Sequence, residues 1–102
     1  MRSITPSEVH ADDDPYIIDV REPEEVAQAR IEGAQHIPLG SLAARLDEVP
    51  RDRTVYVICH VGGRSLQAAQ YLEGNGVDAV NITGGIVGWY RAGLPVVMGA
   101  DS

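Results

Sequence analysis

The chain has one cysteine, Cys59, and it stands where an apolar run gives way to Cys59-His60-Val61-Gly62-Gly63-Arg64-Ser65. The thiolate is the nucleophilic form of cysteine, and a thiol with a pKa of about 8.5 is only a few per cent ionised at neutral pH. Glycine tolerates positive φ, so Gly62 and Gly63 allow the backbone to curl until successive N–H groups face inward as an anion-binding nest around the sulfur. A helix opening directly after the loop adds its own unpaired N–H groups and the positive end of its dipole. Roughly 1.4 to 3 kcal/mol of such stabilisation lowers a thiol pKa by about one to two units, enough for a sizeable thiolate fraction. No histidine base is then needed. Neither His10 nor His36 can be placed beside Cys59 from the sequence, and the side chain of His60, as a chain neighbour, is expected to diverge. A lone cysteine closing an apolar strand is often an inert core residue. An inert one has no use for a Gly-Gly-Arg-Ser turn into a helix, and that context favours a catalytic nucleophile held by an anion-binding loop over residues 60–65.

Around this loop several residues have two readings. Arg64 either clamps the anionic end of a substrate with its guanidinium fork or forms a structural ion pair with Asp19 or Glu22. Asp19 ends a buried strand, so it is expected to accept hydrogen bonds that brace a neighbouring loop, and Arg21 beside it supports the site or faces away. Ser65 offers its hydroxyl to the loop or simply starts a helix. Gly84-Gly85 is a strand-to-helix turn that permits close backbone approach, at the rim of the site or for packing alone. Trp89 is expected in the core more than on a pocket wall.

The elements that must position these residues follow from the patterning. Tyr16-Ile17-Ile18-Asp19-Val20 and Thr54-Val55-Tyr56-Val57-Ile58-Cys59 are short, β-branched or aromatic, and bounded by polar or turn residues, which predicts buried strands. Residues 35–38 and 79–82 are weaker strand candidates, and helices are expected over 23–29, 41–49, 65–73 and 86–92. Alternation of apolar strands with helices predicts an α/β fold, a parallel sheet covered by helices on both faces. Ligands in such folds gather at the carboxyl ends of the strands, where Cys59 falls.

With 102 residues the chain is the size of one small domain, and a single domain over 1–102 is expected. Fifteen acidic against eight basic residues give a net charge of −7, which repels a phosphate backbone and argues against nucleic acid as a partner. No apolar run is long enough to span a membrane and no secretory pattern opens the chain, so a cytoplasmic location is expected. One cysteine excludes an internal disulfide. The run Asp12-Asp13-Asp14-Pro15 reads as a solvated turn, not as a metal site with His10. Whether Val96-Val97-Met98 packs on its own chain or against a twin is open, which leaves a monomer or weak homodimer.

These residues resemble the rhodanese-like family, whose single-domain members close their fourth strand with a Cys-x-x-Gly-x-Arg-Ser loop, matched by Cys59, Gly62, Arg64 and Ser65. The likeness extends to Ile18-Asp19-Val20-Arg21-Glu22, to Ile31-Glu32-Gly33-Ala34-Gln35-His36-Ile37-Pro38, and to Thr83-Gly84-Gly85 through Trp89 to Gly93-Leu94-Pro95. The resemblance implies a three-layer fold with a central five-stranded, mostly parallel sheet. It also implies a sulfurtransferase working through a Cys59 persulfide, without metal or organic cofactor. The implied partners are a small anionic donor such as thiosulfate and a thiol, cyanide or protein acceptor. Arg30 stands where many members carry histidine, and His60 and Val61 stand where some thiosulfate-using members carry basic residues. Two other functions compete. Phosphatases and arsenate reductases of related fold use a Cys-x-x-x-x-x-Arg loop, but only four residues separate Cys59 from Arg64, and that smaller ring suits sulfur better than tetrahedral phosphate. A redox-sensing or sulfur-carrier module would use the same cysteine without turnover.

Overall fold

A computed structural model describes residues 2–99. In chain order the strands and α-helices are β1 (Arg2–Ile4), α1 (Pro6–His10), β2 (Tyr16–Asp19), α2 (Pro23–Gln28), β3 (Ala29–Arg30), β4 (Gln35–His36), β5 (Thr54–Ile58), α3 (Gly63–Gly74), β6 (Asp78–Ile82), α4 (Gly85–Arg91) and β7 (Val97–Met98). Five strands form one sheet in the order β1-β6-β5-β2-β4, with every neighbouring pair parallel. The α/β fold and five-stranded parallel sheet match the expectation.

The strands alternate their side chains between two buried layers, and this is why they read as continuous apolar runs. Ile18, Val55 and Val57 face α3, where Ala68, Ala69 and Leu72 pack with Leu42 and Val49. Ile17, Tyr56 and Ile58 face the other way, against Val9 of α1 and Ile86 and Trp89 of α4. Ile17 is in register with Tyr56 and Ile18 with Val57, so β2 and β5 form the centre of the sheet and end together at Asp19 and Ile58. Cys59 therefore follows the fourth strand of the sheet in chain order, at its carboxyl end.

One local expectation is corrected, one pair of elements is new and one open question is answered. The helix expected over 41–49 is instead a pair of 3-10 turns, Leu39–Ser41 and Leu46–Glu48. Pro50 holds Val49 extended at φ −92° and ψ 124°, and the N–H groups of Glu48 and Val49 bond three residues back, to Arg45 and Leu46. At the other end of the chain, β1 and α1 went unpredicted although Thr5 and Glu8 form a reciprocal capping box with Pro6 in the first turn. The apolar tail packs on its own chain, β7 pairing antiparallel with β3 so that Met98 lies opposite Ala29.

Candidate active site

The Cys59 loop is shaped by one glycine. Gly62 has φ +117°, a conformation side chains disfavour, and its N–H donates to Cys59 Sγ at 3.0 Å. Gly63, expected to share that role, does not have positive φ: it opens α3, and a Cβ there would meet nothing. The Ser65 hydroxyl lies 3.3 Å from Sγ. Cys59 is only 1% exposed, and burial pushes its thiol up. The Ser65 hydroxyl and the backbone N–H groups of Ser65, Gly62 and Arg64 pull it down, and together they win, leaving the thiol below its ordinary value. The sulfur is buried, but among hydrogen-bond donors.

While the amides of Gly62, Arg64 and Ser65 act on the sulfur, the first two carbonyls of the loop are taken up from outside. Cys59 O accepts from Ile86 N–H at 2.8 Å and His60 O from Val87 N–H at 3.2 Å, both in the first turn of α4. Gly85, at φ +60°, makes this approach possible, since a Cβ on it would fall on the carbonyls of Cys59 and His60. Of the two readings of Gly84-Gly85, the structure places the pair directly behind the loop. Those N–H groups, which have no acceptor within α4 itself, carried no specific signal in the sequence.

Arg64 pairs with neither Asp19 nor Glu22. Its guanidinium forks onto Glu25 of α2, with bonds of 2.7 and 2.8 Å. Those bonds, opposed by burial and helped by the Glu22 backbone N–H, hold the Glu25 carboxyl at about 2, while Glu25 raises Arg64 further above its ordinary value. Glu25 is a residue that sequence reasoning missed. Asp19 and Arg21 are both 2% exposed and pair with each other at 2.8 Å, and Asp19 also accepts the Arg21 backbone N–H at 3.0 Å. Arg21 donates onward to the carbonyls of Ala29 at 2.6 Å and Glu25 at 3.4 Å, tying α2 to the sheet. His36 bonds the Arg21 carbonyl through Nε2 at 2.7 Å, His10 lies edge-on to Trp89, and His60 is exposed. Trp89 is buried, with its indole N–H on Pro95 O at 2.9 Å. Val61, at the loop tip, is 64% exposed.

The structure thus brings residues 59–65 together, while Asp19 and Arg21 join them only through Glu25 and α2. A cleft of about 520 Å³ lies elsewhere, over Ile17, Ile31 and Trp89 with Asp12, Asp13 and Glu32 among its rim residues, and no residue of the Cys59 loop lines it. Chemistry is better sought at the sulfur, where the donors converge, than in that cleft. Among the described residues no group of three or more His, Cys, Asp or Glu side chains is placed to hold a metal ion, and no helix is long and apolar enough to cross a membrane.

A parallel α/β sheet that delivers one thiol into a turn of backbone donors defines a class of small proteins suited to holding an anionic sulfur. Within that class the chain belongs to the rhodanese-like domain family, whose pattern matches residues 6–92. It is 42% identical over 86 residues to a sulfurtransferase of Allochromatium vinosum, covering 83% of this chain and 80% of that one. It is 35% identical over 100 residues to the thiosulfate sulfurtransferase GlpE of Glaesserella parasuis, covering 94% and 93%. A rhodanese-related protein from Thermoplasma volcanium superimposes with a TM-score of 0.91 at 34% identity, covering 95% of this chain and 98% of that one.

Proposed function

We propose that the protein moves a sulfane sulfur from an anionic donor to a thiophilic acceptor through a persulfide on Cys59. The Cys59 thiolate attacks the outer sulfur of the donor. The new Sγ–S bond forms as the donor's own S–S bond breaks, and the bond electrons leave with the released group, sulfite when thiosulfate is the donor. The negative charge then sits on the outer persulfide sulfur, facing the N–H groups of the loop. A thiol, cyanide or a protein cysteine attacks that sulfur and returns Cys59 as thiolate. Atoms and charge balance in both steps, with no metal or cofactor.

The observation that carries this reading is the placement of the Gly62 N–H and the Ser65 hydroxyl on Cys59 Sγ, with net lowering of the thiol despite burial. Thiosulfate, the donor named for GlpE, is one candidate. Because Arg64 is engaged by Glu25, backbone N–H groups carry most of the donor's charge. Phosphate-ester turnover, the rival activity, is expected to be absent. Mass spectrometry after incubation with thiosulfate or a small persulfide tests the proposal. The protein should gain one sulfur atom on Cys59, lost again on adding cyanide, and Cys59→Ser should gain none. A protein that stays unmodified with both donors would refute it.

A further inference from the structure

Asn81 is the polar member of an otherwise apolar run in β6 and is 6% exposed. It lies opposite Val57 of β5 on one side and Ser3 of β1 on the other. Its Oδ1 accepts from the Ser65 hydroxyl at 2.6 Å, and its Nδ2 donates to the exposed Ser3 hydroxyl at 3.4 Å. A line of hydrogen-bonding groups therefore runs from Cys59 through Ser65 and Asn81 to the edge strand of the sheet.

Ser65 has one hydroxyl proton and three acceptors in reach: Asn81 Oδ1, Gly62 O at 3.2 Å and the sulfur at 3.3 Å. While the proton points at Asn81, Ser65 can only accept from the cysteine S–H, an arrangement that fits the neutral thiol. A thiolate has no proton to give and needs the Ser65 proton for itself. Turning that proton to sulfur would leave a buried amide oxygen without a donor, a costly state. A side-chain amide escapes the conflict by turning over. Nδ2 then donates to Ser65, and Oδ1 accepts from the Ser3 hydroxyl, which serves equally as donor or acceptor. In both settings the amide oxygen and the amide nitrogen each have a partner, and no proton crosses the amide. A carboxylate, which only accepts, has no second setting.

We propose that Asn81 is a positioning residue whose amide sets the direction of the Ser65 hydroxyl and thereby the ease with which Cys59 carries charge. The inference rests on reading Cys59 as an ionising nucleophile and adds to that reading a residue outside the loop. The titratable and charged groups on the elements around this line are Arg64 of α3, paired with Glu25 of α2, the Asp19–Arg21 pair at the end of β2, and His60 beside Cys59. Arg2 of β1 pairs with Asp78 at the start of β6, and Arg91 ends α4.

The test reads ionisation with no sulfur donor present, so failure of sulfur transfer and failure of this inference are separate results. In the unaltered protein, the side-chain amide resonances of Asn81 should move with the same pH midpoint as the ultraviolet absorbance of the Cys59 thiolate. Asn81→Asp, its fold checked by thermal melting, should cut the thiolate fraction below the midpoint about tenfold, one pKa unit. In a Ser65→Ala background the same substitution should shift the midpoint by less than half as much. Asn81 resonances that ignore the Cys59 titration would overturn the proposal, and they decide it alone if Asn81→Asp does not fold. An equal shift with and without Ser65 would also overturn it, since the effect would then be plain charge repulsion.

Discussion

A Cβ on Gly85 would fall 2.5 Å from the carbonyl oxygen of Cys59, so no space remains for a side chain between the start of α4 and the sulfur-bearing loop. The contact explains how the loop stays inverted. With the Cys59 and His60 carbonyls bonded to Ile86 and Val87 N–H groups, the Gly62 amide is left to face the sulfur.

Gly85→Ala should therefore damage chemistry and stability together. The added methyl meets the backbone carbonyls of Cys59 and His60 at φ +60°, where a side chain is already strained. A loss of about 2 kcal/mol or more in unfolding free energy is expected by denaturant titration. The Cys59 midpoint should also rise as its donors are displaced. A variant with parent stability and parent thiol midpoint would show that the contact is incidental.

Glu25 should make stability depend on acid. Its carboxyl is held at about 2 in the folded chain against an ordinary 4.5. The Arg64 contribution is thus fully present above 4.5 and is lost as the pH falls toward 2. Both side chains are about one-third exposed, at 30% and 35%, so solvent screening reduces the effect to about 1 kcal/mol. Glu25→Gln should remove this part of the acid dependence in melts recorded between pH 2 and 6, a window set by the same carboxyl. It should also free the Arg64 guanidinium and raise kcat/KM for thiosulfate, a dianion, more than for a small persulfide of lower charge. Equal effects on the two donors would place Arg64 outside donor binding.

Asp19→Ala should cost more than any change on the Glu25–Arg64 pair. It strands the Arg21 guanidinium, which is 3% exposed and holds the carbonyls of Ala29 and Glu25. Breaking a buried ion pair from one side is expected to cost about 3 to 5 kcal/mol in a urea titration. A loss below about 1 kcal/mol, as for a surface pair, would contradict this account.

What the sequence revealed and what it hid follow from range. The Cys59 loop and strands β2 and β5 were legible because apolar runs, glycines and a helix start are local signals. Gly62 met the expectation of positive φ and Gly63 did not, since one residue with positive φ suffices to turn the chain into α3. The 3-10 turns over 39–48 kept part of a helical apolar spacing while Pro50 and short-range bonding decided the backbone. The partner of Arg64 was hidden because Glu25 lies on α2, a helix with no buried residue and so no apolar pattern to show which of its carboxylates turns to the loop. Asn81 was hidden for the opposite reason: it sits in an apolar strand, where its hydrogen bonds cross to α3 and β1.

The most direct test is the ultraviolet pH titration of the Cys59 thiolate in the folded protein, with Cys59→Ser as the blank. Inward-facing amides and the Ser65 hydroxyl predict a midpoint below the value of an unperturbed thiol. A midpoint at or above that value would mean that burial outweighs the donors and that the loop does not hold negative charge.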